Sequence, residues 1–209
     1  MNILIIGATR GIGMQLLERA LARGHTVTAL ARNPDKITKR HERLKVLKGD
    51  ILETESVTRA IADQDAVCCC IGIGLTRKPV TVFSQGTKNI LEAMKRAGVR
   101  RFICITGIGA RESKYHGGFL YDKIFQPLLL KTIYEDKDRQ EELIKASDVD
   151  WIIVRPGFLT NGPARGQYRA LIDLTGVTAG QISRADVAEF MLDQLDSEQY
   201  LRQTPLLTY

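Results

Sequence analysis

The chain reads as an α/β protein: a doubly wound parallel sheet with helices on both faces and a small substrate lobe towards the carboxyl end. Three observations predict this. Short, apolar, mostly β-branched runs recur along the 209 residues, with helical patterns between them. Most of these runs lack in–out alternation, as strands buried on both faces do. The alternation breaks off between residues 157 and 182, a stretch rich in Gly, Thr and Pro.

The elements follow in order. Ile3–Ile6 is the first strand, and it runs directly into Gly7-Ala8-Thr9-Arg10-Gly11-Ile12-Gly13. Ile12, Leu16, Leu17, Ala20 and Leu21 then share one helical face, which Gly24 closes as a C-cap. Thr26–Leu30 and Leu44–Leu47 are the second and third strands, and Ala66–Ile71 is the fourth. A helix carrying Ile90, Leu91, Met94 and Ala97 ends at Gly98. Phe102–Thr106 and Trp151–Val154 are the fifth and sixth strands, and a further helix ends near Asp148. Ser183 N-caps a late helix bearing Val187, Phe190, Met191 and Leu195, and Pro205–Thr208 is the last strand. Residues 1–209 are expected to form one domain, with the 157–182 lobe over the carboxyl ends of the strands.

Composition narrows the function classes. Hydrophobic residues make up 44% and charged residues 26%, ordinary values for a globular protein. No apolar run approaches the ~18 residues of a membrane span, and the apolar start is too short for a signal peptide. The expectation is a cytoplasmic protein with no membrane partner. Cys68, Cys69 and Cys70 are adjacent, so on a strand they point to alternating faces and cannot converge on a metal. The net charge is +6, but the basic residues are scattered. This fits a cleft for an anionic cofactor better than a nucleic-acid surface, so no nucleic-acid partner is expected.

The glycine turn carries the first chemical signal. It lies between a buried strand and an amphipathic helix, with a second strand following. Gly7 permits the tight turn, Gly11 lets backbone approach a pyrophosphate, and Gly13 allows close packing of helix on strand. Free N–H groups and the positive end of the helix dipole favour the anion. Gly7, Thr9, Arg10, Gly11 and Ile12 are therefore candidate cofactor contacts. The second strand ends Leu30-Ala31-Arg32-Asn33, without the carboxylate that would bind the ribose hydroxyls and repel a 2′-phosphate. Arg32 stands at that position and Arg10 lies in the turn. Two guanidiniums suit a 2′-phosphate, so the expected cofactor is NADP(H).

The turn spacing, together with GDILETESV, DAVCCCIGIG, GTKNILEAMKRAGVRRFICITG, DKDRQEELIKASDVDWIIVRPGFLTNGP and ISRADVAEFML, resembles the atypical short-chain dehydrogenase/reductases of the NAD(P)H-binding, NmrA-like group. That resemblance covers nearly the whole chain and implies a Rossmann-type fold. It implies adenine contacts at Asp50 and Ile51, and a segment under the adenosine ribose at Cys70, Ile71 and Gly72. It places Lys137 near the nicotinamide ribose. The chain also departs from the superfamily: no tyrosine is followed four residues later by a lysine, and Tyr134–Lys137 is one residue short. Members that reduce flavins and tetrapyrroles carry a serine and a histidine beside the nicotinamide, and the matching positions here are Gly107 and Phe158. Thr106 is then the nearest hydroxyl, and Thr106 and Lys137 are the candidate catalytic residues. Pro156-Gly157-Phe158 follows the sixth strand, at the edge where open α/β sheets bind ligands; Pro156 and Phe158 complete the candidate site.

The resemblance implies hydride transfer to a flat conjugated acceptor: a flavin, a quinone or a tetrapyrrole. Such an acceptor delocalises the incoming charge and can take its proton from water, so the protein contributes position and a dry stacking surface. Phe158, Phe119, Tyr121 and Tyr168 are candidates for that surface. An NmrA-like, dinucleotide-sensing protein without catalysis is the alternative. A sugar-nucleotide epimerase or dehydratase ranks third, because those enzymes carry a larger C-terminal substrate domain. The small-molecule acceptor is the expected partner, and the chain is read as a monomer or a dimer.

Overall fold

Strand β1 (Asn2–Ile6) lies inside the sheet, with Ile3 to Ile6 shut from solvent. The computed structural model describes residues 1–119 and 121–209. Beside β1 lie β2 (Thr26–Ala31) and, at the edge, β3 (Leu44–Lys48). On its other side come β4 (Ala66–Cys69), β5 (Arg101–Ile105), β6 (Asp150–Pro156), β10 (Leu206–Thr208) and β8 (Arg169–Leu171). Neighbouring strands run parallel except β10 and β8. The chain therefore winds outward in both directions from β1, leaving a crevice beyond the carboxyl ends of β1 and β4.

Two apolar layers clothe the sheet. Ile3, Ile5 and Cys68 face α1 (Gly11–Ala22) and α5 (Arg184–Asp193). Leu4, Ile6, Cys69 and Cys104 face α2 (Thr54–Ile61), α3 (Val82–Ala97) and α4 (Lys131–Lys145). The alternation of Cys68 and Cys69 is the period-two geometry of a strand. All four cysteines are free, and burial pushes the Cys68 thiol up to about 12. No described helix is long and apolar enough to cross a membrane.

Local signals account for the element ends. Helix α1 closes with Gly24 at φ +86°, where the Gly24 N–H donates to Leu21 O at 3.1 Å and His25 N–H to Ala20 O at 3.0 Å. Ser183 caps α5, its hydroxyl accepting from Asp186 N–H at 2.9 Å. Helix α3 ends at Gly98 with φ +72° but has no side-chain cap of its own at the N-terminus. Asp136, fully buried on α4, accepts instead from Phe83 N–H at 2.8 Å and Ser84 N–H at 3.3 Å. A carboxylate at a helix N-terminus complements the dipole and locks α4 against α3.

The 157–182 stretch differs from an irregular lobe in one respect. Strands β7 (Phe158–Thr160) and β9 (Gln181–Ser183) form their own two-stranded parallel ribbon, but β8 joins the main sheet antiparallel to β10. That pairing covers the backbone of β10, which would otherwise stand as an open edge. Ahead of α4, residues Tyr121–Leu130 wind as a π-helical segment containing Pro127. A proline lacks the N–H an α-helical interior needs, which accounts for the irregular winding there.

Candidate cofactor and acceptor site

The glycine turn is built for close approach. Gly7 has φ +90°, and a Cβ there would sit 2.6 Å from the Cys70 carbonyl oxygen. Gly11 has φ +60°, in the left-handed region that favours glycine. A Cβ on Gly13 would run into the Gly7 carbonyl, so glycine there lets α1 seat on the turn. Arg10 is the N-cap residue but makes no side-chain cap, and the first turn of α1 carries no acid. The first helical hydrogen bond is Met14 N–H to Arg10 O at 3.4 Å. The N–H groups of Gly11, Ile12 and Gly13 therefore have no partner within the helix. Donors in this arrangement fit a phosphate anion.

At the end of β2, exposed Arg32 lines a cleft of about 740 Å³ in which Lys48 and Arg59 stand with three carboxylates, Asp50, Glu53 and Glu55. Asp50 Oδ1 accepts from Leu52 N–H at 3.0 Å and shapes the loop. Ile51 is buried against Gly86, and its carbonyl accepts from Asn89 Nδ2 at 2.8 Å. Arg10 Nη2 donates to Gly72 O at 3.3 Å, joining the glycine turn to the Cys70–Gly72 segment. Cys70 and Ile71 are half-buried beside it, as is Thr9 in the turn. Lys48 and Arg59 add two cations to the cleft that the sequence reading did not single out. No motif marks them, since β3 and α2 bring them beside Arg32.

On the acceptor side, Thr106 is buried and its hydroxyl donates to Glu141 Oε1 at 2.7 Å. Glu141 is held in turn by Arg155, whose Nη2 donates to Oε2 at 2.5 Å. Thr106 thus has its proton committed inward. Lys137 is buried, with its ammonium 4.3 Å from the centre of the Phe83 ring. Burial lowers its pKa, opposed by the thiols of Cys104 and Cys69 and the carboxylates of Glu141 and Asp136.

Tyr134 occupies the space left by Gly107. A Cβ on that glycine would lie 3.1 Å from the Tyr134 hydroxyl. Tyr121 Oη lies 3.0 Å from Tyr134 Oη and 3.1 Å from Ile108 O. A carbonyl can only accept, so Tyr121 donates to Ile108 and Tyr134 donates to Tyr121. Burial holds both phenols above their usual range, Tyr134 well above. Sequence spacing gave Tyr134 no more than its proximity to Lys137; its place against Gly107 needed the packing of α4 on β5.

Phe158 packs edge-on against Tyr121, with ring centres 5.2 Å apart at 83°. Together with Gly117, Gly118, Phe119 and Phe125 they wall a slot of about 440 Å³. Pro156 ends β6 two residues before Phe158, and its carbonyl accepts from Ile108 N–H at 3.2 Å. His116 ties the glycine-rich loop to the lobe, its Nδ1 lying 2.8 Å from Val177 O. Tyr168 is not part of the slot: it packs edge-on against Phe190 of α5, with centres 6.2 Å apart. Its apolar neighbours under the lobe outcompeted the expected stacking role.

Comparison with known proteins then decides the family. A family model described as NAD(P)H-binding matches residues 7–198. The chain belongs to this family. Among curated proteins it is 28% identical to the uncharacterized sugar epimerase YhfK of Bacillus subtilis, over 95% of this chain and 89% of that one. Among solved structures it superposes on the anaerobillin reductase ChuY of Escherichia coli O157:H7 with a TM-score of 0.83. Identity there is 23%, and the match covers 100% of this chain and 97% of ChuY. A short-chain dehydrogenase/reductase of Veillonella parvula in complex with NADP gives a TM-score of 0.81 at 20% identity, covering 100% of this chain and 94% of the other. At these identities the solved structures show the fold alone, a Rossmann-type sheet.

Proposed function

We propose that this NAD(P)H-binding protein is an NADPH-dependent reductase of a flat, conjugated, small-molecule acceptor. One observation carries the reading: the glycine turn after β1, the cleft beside Arg32 after β2 and the aromatic slot at Phe158 after β6 all stand at the carboxyl edge of one sheet, and Arg32 rather than an acid follows β2. Bound NADPH would supply the hydride. Arg32 and Arg10 would hold the 2′-phosphate, with Asp50 and Ile51 at the adenine and Cys70–Gly72 beneath the ribose. The free N–H groups of α1 would take the pyrophosphate, and Lys137 would orient the nicotinamide ribose. Phe158, Tyr121 and Phe119 would stack on the acceptor and exclude water, while solvent supplies the proton.

One feature supports a flat aromatic acceptor over a sugar nucleotide. The slot walls are glycines and aromatic rings, which stack on a conjugated plane but offer few partners to a row of hydroxyls. The name of the Bacillus subtilis relative points to epimerisation, and that of the Escherichia coli protein to reduction. The reading includes a cytoplasmic setting, supported by four free cysteines, three of them in one run. The test is NADPH oxidation by purified protein against flavins, quinones and biliverdin, with NADPH affinity measured in parallel. Oxidation with one acceptor class is the expected result. Tight binding without oxidation of any acceptor would instead favour a dinucleotide sensor. The committed protons of Thr106 and Tyr134 are the observation on that side.

A further inference from the structure

Arg184 opens α5, far from the glycine turn in sequence, yet its side chain reaches that turn. Its Cδ and Nε lie 3.8 Å and 3.7 Å from where a Cβ on Gly11 would stand. Its Nη1 donates to Asn161 Oδ1 at 2.8 Å, just past the end of β7. The backbone beneath it is held by Ser183, whose hydroxyl accepts from Asp186 N–H and donates to the Asp186 carboxylate. Asp186, the nearest acid in sequence, is already occupied. It accepts from Arg165 N–H at 3.0 Å, Gly166 N–H at 2.9 Å, Ser183 Oγ at 2.8 Å and Tyr209 Oη at 2.5 Å.

Among the described residues no carboxylate stands within ion-pair distance of the Arg184 guanidinium. Arg155, Arg100 and Arg139 have such partners in Glu141, Asp150 and Asp136, while Arg184, like Arg10 and Arg32 at the candidate cofactor site, has none among the described residues. Arg184 is half-buried, carries five N–H donors and gives one to a neutral amide. A permanent cation beside backbone N–H groups that have no partner within the helix makes a local excess of positive charge, which suits an anion.

We propose that Arg184 binds the pyrophosphate of the dinucleotide from the lobe side, opposite the N-terminus of α1. Asn161 holds the side chain in place for this contact. The proposal rests on the placement of the cofactor at the glycine turn. It makes the lobe part of the cofactor site and gives Arg184 a role distinct from that of Arg10 and Arg32. Those two would read the 2′-phosphate, which NADPH has and NADH lacks. Arg184 would read the pyrophosphate, which both share.

The experiment measures Kd by titration calorimetry for NADPH, NADH and 2′-AMP with wild type, Arg184→Gln and Arg184→Lys. 2′-AMP carries the 2′-phosphate and no pyrophosphate. Arg184→Gln should weaken NADPH and NADH by the same factor, about 10- to 100-fold, with 2′-AMP unchanged. Arg184→Lys, which keeps the charge but loses the planar fork, should fall between. Unchanged dinucleotide affinity in Arg184→Gln overturns the proposal, as does a loss confined to NADPH or an equal loss for 2′-AMP. Thermal unfolding of each variant checks that the fold is retained. A wild-type protein that binds 2′-AMP but neither dinucleotide overturns the proposal while leaving the 2′-phosphate reading intact. A wild type that binds none of the three overturns both.

Discussion

Replacing Arg10 and Arg32 together by alanine tests the cofactor preference. Both side chains are exposed, and Arg10 is tethered to the Gly72 carbonyl while Arg32 lines the cleft at the end of β2. A hydrogen bond to a charged group contributes about 1.5–3 kcal/mol, and exposed ion pairs about 0.2–1 kcal/mol. Taking about 1–1.5 kcal/mol for each exposed guanidinium on a phosphate gives ~2–3 kcal/mol for the pair, or a ~30- to 140-fold loss of NADPH affinity. NADH lacks the 2′-phosphate, so its affinity should change less than about threefold. Lys48 and Arg59 stay in the cleft, so some preference should survive. Calorimetric titration of both dinucleotides at one fixed, low ionic strength reads the difference directly, and added salt should narrow it. Equal losses for NADPH and NADH would refute the 2′-phosphate argument.

Other outcomes follow from the same geometry. Glu141→Ala strips the buried Arg155 guanidinium of its main partner, a change that costs about 3–5 kcal/mol. For a chain of this size Tm should fall by ~6–20 °C in a thermal melt, and a shift under about 2 °C would contradict the buried-pair account. Burial alone would raise the Asp186 carboxyl, but hydrogen bonds from Tyr209, Arg165, Gly166 and Ser183 outweigh it and hold the group below its ordinary range. A depressed carboxylate stabilises the fold above its unfolded value, near pH 4, and that contribution is lost as pH falls through the folded value. Wild type should lose stability below about pH 4 more steeply than Asp186→Asn in acid-unfolding curves, and parallel curves would exclude the linkage. Lys137→Ala should lower turnover through loss of the ribose contact. Unchanged turnover and NADPH affinity would reduce Lys137 to a packing role over Phe83.

Ile3–Ile6, Thr26–Leu30 and Leu44–Leu47 lie within observed strands because a doubly buried strand leaves a local apolar signature. Ser183 and Gly24 are legible for the same reason, since a cap is a property of a few adjacent residues. The pairing of β8 with β10 is not local: residues 169–171 carry no strand signature and are recruited by an open edge. The candidate site divides the same way. The glycine turn is contiguous, and the tight turn at Gly7 and the close seat at Gly13 are observed as read. Arg184 reaches that turn from the start of α5, and Tyr134 fills the space at Gly107 from α4; neither contact is encoded by spacing. Tyr168 shows the converse, an aromatic residue whose neighbours rather than its type set its role.

The most direct test of the reductase account is a single-turnover experiment. A preformed complex of protein and NADPH, with protein in excess, is mixed rapidly with the most active acceptor of the panel, and absorbance at the reduced nicotinamide band is followed. The account predicts one first-order decay with an amplitude equal to the bound NADPH. Its rate should saturate with acceptor and fall in Phe158→Ala, which removes one wall of the slot. A complex that keeps its NADPH unoxidised with every acceptor would contradict the account.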